Sequence, residues 1–462
     1  MAEVKLGRWQ LLMFALPGLP IAWLIPPMYA ILGDFYLRYS AATAAGIGSA
    51  MLFSKVVDAI TDPPVGYLSD RTRSRWGARK PWILAGALLT VPTFLFFFNP
   101  PESAGNLYFA VGITAYYLCH TLIKIPLRAW LGELTPDYTE RSHIWSWFVI
   151  ALLLGGLLIM GLPLLMSSPL LPLFDSAEFD RDMMSMIGLI GLCGMPVLVL
   201  GALWVVPQGH RNEGDGAPLL AFFEILWVSR PFQNFLVGYG LSALGFGIFY
   251  SVIIVAITSY YGFAEKLPLF MLIMILVQVA SIPVWEKLAH RVPKHQVWAY
   301  AWLAHAALGL LMFVFGANST QFWLIVSLGG VLSALQGPHM LFPVSIMNDI
   351  VDYDTWKTGI SRAGNFFSVF TFVDKVLHAI GFGVGYYCMA LFGYDAKLDE
   401  NTDLAVFGLK LAFILLPALL FFLSSRMLLT FPIDAHRHAI IRKRLAAREA
   451  RERRVAAIEG AA

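Results

Sequence analysis

The chain has 462 residues, 58% of them hydrophobic and only 14% charged, with a formal net charge of +3. A water-soluble domain carries about 25% charged residues, so a soluble globule of this length is excluded. The near-neutral total gives no ground for a nucleic-acid partner. Lipid is the solvent that suits this composition, and a chain crossing lipid satisfies its backbone polar groups internally, as helices.

Lys5 and Arg8 precede the first apolar run, Leu11–Leu37, which has the length of a full span and not of a signal-peptide core. Further runs of about 20 residues or more follow: Ala44–Ser69, Pro81–Phe98, Asn106–Gly132, Ile144–Ser168, Met183–Val206, Pro231–Tyr261, Pro268–Leu288, Gln296–Ala317, Phe322–Met347, Gly364–Phe392 and Leu404–Phe431. Together they predict an all-α membrane protein of about twelve transmembrane helices. The loops test that count. With both termini in the cytoplasm, the inner loops hold Arg71, Arg73, Arg75, Arg79, Lys80, Arg141, Arg211, Arg291, Lys294, Lys357 and Arg362, and the tail adds Arg437, Arg442, Lys443 and Arg444. The outer loops are mostly acidic, with Asp175, Glu178, Asp180, Asp395 and Asp403. This is the positive-inside pattern of a plasma (bacterial inner) membrane protein.

Gly209, Gly214 and Gly216 among polar residues mark a flexible linker. The expected organisation is an N-terminal six-helix half (1–207), a cytoplasmic linker (208–229), a C-terminal six-helix half (230–431) and a cytoplasmic tail (432–462). Faint echoes relate the halves: Pro64-Val65 recurs as Pro283-Val284, and Asp137-Tyr138 as Asp352-Tyr353.

Charge at membrane depth is expensive unless it is paired or wetted by a cavity. The second helix carries Lys55, Asp58 and Asp62 on adjoining parts of one face, with Thr61 beside them. Two carboxylates so spaced can share a cation or a proton, since their repulsion raises the proton affinity of one; a plain Lys55–Asp58 bridge is the alternative. The fourth helix carries His120, Lys124 and Arg128, a basic stripe interrupted by Pro126. Asp58 and Asp62 are its expected partners, and a polar or anionic ligand is the other reading. On the eleventh helix stand Asp374, Lys375 and His378, with Lys375 expected to reach across the cavity. Trp23, Tyr29, Tyr116 and Tyr117 are candidate ring-stacking residues. Gln278, His305, Gln336, His339 and Asn365 read as satisfied core groups. Neither a metal-ligand spacing nor a nucleophile–base pair is evident, so an enzyme is not expected, nor is any cofactor.

Asp58-Ala59-Ile60-Thr61-Asp62-Pro63, Gly66, Thr72-Arg73-Ser74-Arg75-Trp76-Gly77, Lys80-Pro81-Trp82, Ile125-Pro126, Asn348-Asp349-Ile350-Val351-Asp352-Tyr353 with Lys357 and Gly359, and Lys375 occur in that order. In these motifs the chain resembles the melibiose-permease-like glycoside–pentoside–hexuronide:cation symporters of the major facilitator superfamily, along nearly its whole length. The resemblance implies the major facilitator fold and alternating access around a central site. It implies Asp58, Asp62 and the neighbouring Thr61 as the coupling-cation site, and Lys375 as a lysine facing both that site and substrate. Arg141, Asp349, Asp352 and Arg362 become cytoplasmic gate charges, with Arg73, Arg75 and Lys80 in a loop that latches neighbouring helices.

The chain departs from the sugar permeases of that family at telling places. Lys124 stands where they have an aspartate and Arg128 where they have a tryptophan; their sugar-gripping arginine falls near apolar Val149, and their first-helix aspartate has no match in Leu16-Pro17-Gly18-Leu19-Pro20. A sodium site of three acids is thereby lost. Proton coupling through Asp58 and Asp62, or occupation of the cation position by the Lys124 ammonium, replaces it. The cavity becomes more basic, which favours a sugar-like solute with an anionic group, a uronide or sulfonated sugar, held by Lys124, Arg128, His120, Lys375, Tyr116 and Trp23. The expected partners are this solute, the coupling cation (H+ before Na+) and membrane lipids, with the protein a monomer. Because the family also resembles lysophospholipid carriers, an amphiphile is the alternative cargo.

Overall fold

A computed structural model describes residues 7–24, 26–134, 138–208, 229–313, 321–359, 362–398, 400–434 and 437–448, apart from the side chains of residues 26, 27, 29, 132 and 138–142. Residues 209–228 of the linker, the side chains of Tyr29 and Arg141, and the tail beyond 448 lie outside the described residues.

The first span, α1, is broken into Arg8–Ala15, Gly18–Ile21, a 3-10 turn Ala22–Leu24 and Pro26–Tyr39. Its prolines explain the breaks, because each removes a backbone donor. There follow α2 (Ala44–Arg71), α3 (Lys80–Phe97), α4 (Asn106–Leu134), α5 (Tyr138–Met166) and α6 (Arg181–Val205). The C-terminal half comprises α7 (Arg230–Val255, extended by the π turn Ala256–Tyr260), α8 (Leu267–Ala289), α9 (Lys294–Leu311), α10 (Phe322–Leu335 and Gly337–Thr358), α11 (Ala363–Leu391) and α12 (Asp403–Lys410, the π turn Leu411–Leu415, and Leu416–Leu429). Ten of these are long and apolar enough to cross a bilayer. With the broken α1 and the shorter α9, the expected twelve spans are all present.

Several ends are set by side chains. Thr43 accepts from the Gly46 amide to cap α2, Asp180 from Met183 to cap α6, and Thr402 from Ala405 to cap α12, each satisfying an amide that the helix leaves orphaned. Gly359, at φ 79°, closes α10 in the left-handed conformation open to glycine.

An even number of spans puts both termini at one end of the bundle. At the opposite, far end the two halves share one apolar core, where Ile31 and Ile47 join Val252, Ile257, Tyr386 and Met389. Polar ties reinforce the closure: Thr258 donates to the buried Asp34 carboxylate at 2.9 Å, Lys397 to the Ser40 carbonyl at 2.7 Å, and Ser49 meets Tyr387 at 2.5 Å. A Cβ on Gly48 would lie 2.9 Å from the Tyr386 Cβ and 3.2 Å from the Gly383 carbonyl, so α2 and α11 cross at the closest approach a backbone permits. At the termini end the C-terminal half keeps a separate core around Phe232, Trp298, Phe342 and Phe366. The ion pairs there stay within one half or its tail: Lys294–Asp349 at 3.4 Å, Arg362–Asp354 at 2.8 Å, and His438 with Asp349 at 3.4 Å and Asp352 at 3.0 Å. Among the described residues the halves are thus tied together at the far end, and no ion pair joins them at the termini end.

Candidate transport site

Midway along α2, the Asp58 and Asp62 carboxylates face α4 and α11. The Lys375 ammonium of α11 lies 3.2 Å from Asp58 Oδ2 and also bonds Asp62 Oδ2. The hydroxyl of Thr121, on α4, donates to Asp58 Oδ1 at 2.6 Å and stands 3.1 Å from Asp62 Oδ1. The two acids therefore form one unit, clasped by a cation from the opposite half and a hydroxyl from their own. Asp58 is almost closed off, with 3% side-chain exposure, whereas Asp62 keeps 25% and Lys375 20%. The unit is dry on one side and wet on the other. Lys55, one turn away, sets its ammonium 3.8 Å from the centroid of the Tyr117 ring, a cation–π contact.

The basic stripe of α4 lands elsewhere than expected. Among the described residues no carboxylate lies within ion-pair distance of Lys124 or Arg128; Lys375 has taken the place beside Asp58 and Asp62. Arg128 is exposed, with its guanidinium carbon 5.7 Å from the Trp145 ring centroid on α5. His120 and Lys124 are half-buried on the same side of α4. The stripe thus sets its bases together with no carboxylate among the described residues at ion-pair distance from Lys124 or Arg128.

Four expected roles are revised. Thr61 turns its hydroxyl to the Asp58 backbone carbonyl at 3.1 Å, the local bond helical threonines commonly make, and Thr121 is the threonine whose hydroxyl reaches the two carboxylates. Tyr116 is fully buried among Phe94, Phe97 and Phe98 and donates to the Trp23 carbonyl. That carbonyl is free because the residue four positions on, where a helix would supply its donor, is Pro27. Trp23, 5% exposed, packs on Gly191 and Phe94. Tyr116 and Trp23 are therefore core residues of the N-terminal half and do not line the cavity. At the termini end, Arg73 and Arg75 are exposed, and the buried Arg79 makes the contacts expected of them: it bonds Asp70, Glu133 at 2.7 Å and Ser69 at 2.8 Å. Its neighbour Lys80 donates to the carbonyls of Leu203 and Val206 at 2.7 and 2.6 Å. Arg362 forks onto Asp354, a residue sequence reasoning did not single out.

A profile of the family described as MFS/sugar transport protein matches residues 13–435. The inner membrane symporter YicJ of Escherichia coli (strain K12) is 26% identical over 398 residues, covering 85% of this chain and 84% of that one. The sodium-dependent lysophosphatidylcholine symporter 1-A of Danio rerio is 22% identical over 470 residues, covering 95% and 88%. Among solved structures, the nucleoside transporter NupG superposes with a TM-score of 0.63 at 14% identity, covering 91% of this chain and 99% of its own, a likeness of fold alone. The chain belongs to the MFS/sugar transport protein family and is an integral membrane transporter of the major facilitator fold, of the glycoside–pentoside–hexuronide:cation symporter type.

Proposed function

We propose that this transporter couples inward movement of protons to uptake of a sugar-like solute bearing a carboxylate or sulfonate. The observation that carries the reading is the division of charge: Lys375 and Thr121 hold Asp58 and Asp62, while no acid among the described residues reaches Lys124 or Arg128. The first group, two carboxylates on one ammonium, keeps a net charge of −1 that a proton can cancel, and the second is a cationic surface for an anionic solute. Protonation at Asp58 or Asp62 loosens Lys375 and adds its charge to the solute site, so proton and solute each tighten the other's binding.

The positive-inside pattern of the loops supports a cytoplasmic termini end in a bacterial inner membrane, and on that reading the arrangement described above is the inward-open one. Asp349, Asp352, Arg362 and Arg141 become available for pairing across the halves when that end closes. The protein works as a monomer surrounded by lipid. The test is uptake of methyl β-D-glucuronide by proteoliposomes under an imposed pH gradient. Uptake should follow the pH gradient and exceed that of the neutral methyl glucoside. Indifference to both pH and sodium gradients, or preference for the neutral sugar, refutes the proposal. Lys124→Asp restores a third acid beside the pair and should introduce a sodium dependence. A lysophospholipid, whose phosphate would suit the same cations, is the second reading, favoured by the Danio rerio relative; competition by lysophosphatidylcholine distinguishes it.

A further inference from the structure

α11 carries charge on two faces. Lys375 turns to α2. One residue earlier, Asp374 turns into the C-terminal half, where the Tyr239 hydroxyl of α7 donates to its Oδ1 and His378 Nδ1 lies 3.0 Å from the same oxygen. That nitrogen is also 3.0 Å from the Asp374 carbonyl. Two acceptors against Nδ1 make it the protonated nitrogen, and Nε2 is left to gain or lose a proton. His339 of α10 stacks on the Tyr239 ring, with centroids 5.3 Å apart and planes 11° apart, and its own buried Nδ1 has no hydrogen-bond partner among the described residues. Asp374 keeps 35% and His378 30% side-chain exposure although both lie midway along a span, so the pair is open on one side.

The surrounding charges are few. α7 presents Tyr239, and α10 presents His339. α2 presents Lys55 together with Asp58 and Asp62, the acids already engaged by Lys375. Lys410 of α12 lies away from them at the far end, where it donates to the Phe313 carbonyl. Among the described residues, only His378 is within ion-pair distance of Asp374, and it neutralises the acid only once Nε2 is protonated. A proton taken there changes the pair from net −1 to net 0 and breaks no existing ion pair. A proton at Asp58 or Asp62, in contrast, must displace a contact with Lys375. We infer that Asp374, His378 and Tyr239 form a second protonation site, in the C-terminal half and separate from the Asp58–Asp62 pair. It binds a proton from the chamber one residue away from the lysine that bridges the halves.

The test needs no solute. Full-length protein carrying [13Cε1]histidine is reconstituted in nanodiscs and titrated by NMR from about pH 5 to 9, the range in which imidazoles change charge. The resonance lost in His378→Gln identifies His378 among ten histidines. Its titration curve should change in Asp374→Asn, which removes the carboxylate in contact with it. Asp62→Asn should shift it far less. The other histidine resonances report whether each variant has folded. Should Asp374→Asn not fold, Tyr239→Phe removes a donor that competes for the carboxylate and should change the curve as well. A His378 resonance that does not titrate, or a midpoint unmoved in the folded variant, overturns the site. Failure to transport a glucuronide would leave this titration standing, and a flat titration would leave the solute claim standing, so the two can fail separately.

Discussion

Replacing Lys375 by glutamine removes the cation that joins the halves at membrane depth. At 3.2 Å from Asp58, its Coulomb attraction is about 5 kcal/mol at an effective dielectric constant of about 20, before desolvation is subtracted. Each charge-assisted hydrogen bond contributes about 1.5–3 kcal/mol net. Breaking a buried pair leaves an uncompensated charge and costs about 3–5 kcal/mol. Lys375 is 20% and Asp62 25% exposed, which argues for the lower end, so the expected loss is about 3 kcal/mol, or about a hundredfold in the folding equilibrium. The assay is unfolding in mixed detergent–SDS micelles, followed by the reaction of the buried Cys119 with a thiol probe. The reasoning is about a pair, so the decisive measurement is a double-mutant cycle with Asp62→Asn. Once Lys375 is gone, neutralising Asp62 should recover part of the loss, with a coupling energy of about 1.5–2 kcal/mol. A coupling below about 0.5 kcal/mol would show that the ammonium and Asp62 do not depend on one another, and the site would have to be rebuilt.

Thr121→Val removes the hydroxyl at Asp58 and Asp62 and should cost about 1–2 kcal/mol. A carboxylate that loses a donor to its ionised form binds a proton more readily, so the alkaline limit of proton-driven uptake should move to higher pH, read from initial rates across a pH series. Arg128→Ala and Lys124→Ala should each raise the KM for a glucuronide by about tenfold or more, the loss of one charged hydrogen bond, while leaving a neutral glycoside unchanged; equal effects on both solutes would show that the stripe does not read charge. Gly381→Ala sets a methyl group 2.7 Å from the Gly247 Cα and 2.5 Å from the Leu244 carbonyl. Forcing α7 and α11 apart should cost about 1–3 kcal/mol, measured as lost monodisperse yield on size exclusion. Thr258→Val combined with Lys397→Met cuts two far-end ties between the halves, and maleimide should then label a cysteine at the buried Ala42 (Ala42→Cys) faster from that side; an unchanged rate would mean the apolar core alone keeps that end shut.

Much of the architecture was readable from the chain because lipid punishes ambiguity. A backbone that cannot use water must form helices of a set length, and twelve runs with alternating loop charge leave little choice of topology. The acids of α2 stood out for the same reason, as charges in an apolar run. Which base would answer them was not readable. Spacing along one helix says which side chains share a face and nothing about which neighbour that face meets, so the α4 stripe was the expected partner of the acids, and the crossing of α2 and α11 puts Lys375 there instead. Thr121 was hidden because a threonine in an apolar helix is common and usually bonds its own backbone, as Thr61 does. Tyr116 misled for a different reason. Its hydroxyl looked like a cavity group, but it repairs a carbonyl exposed by a proline in the neighbouring, broken α1.

The ammonium of Lys80 has a consequence for how the two halves can move. By binding the carbonyls of Leu203 and Val206, it seals the last turn of α6 at the point where the chain leaves the N-terminal half. α3 and α6 are thereby riveted together at their inner ends, and Arg79 extends the joint to Ser69, Asp70 and Glu133 on α2 and α4. A pull arriving through the connecting segment cannot be absorbed by unwinding α6. It must turn four helices as a single plate, which gives the inter-half connection leverage over the whole N-terminal bundle.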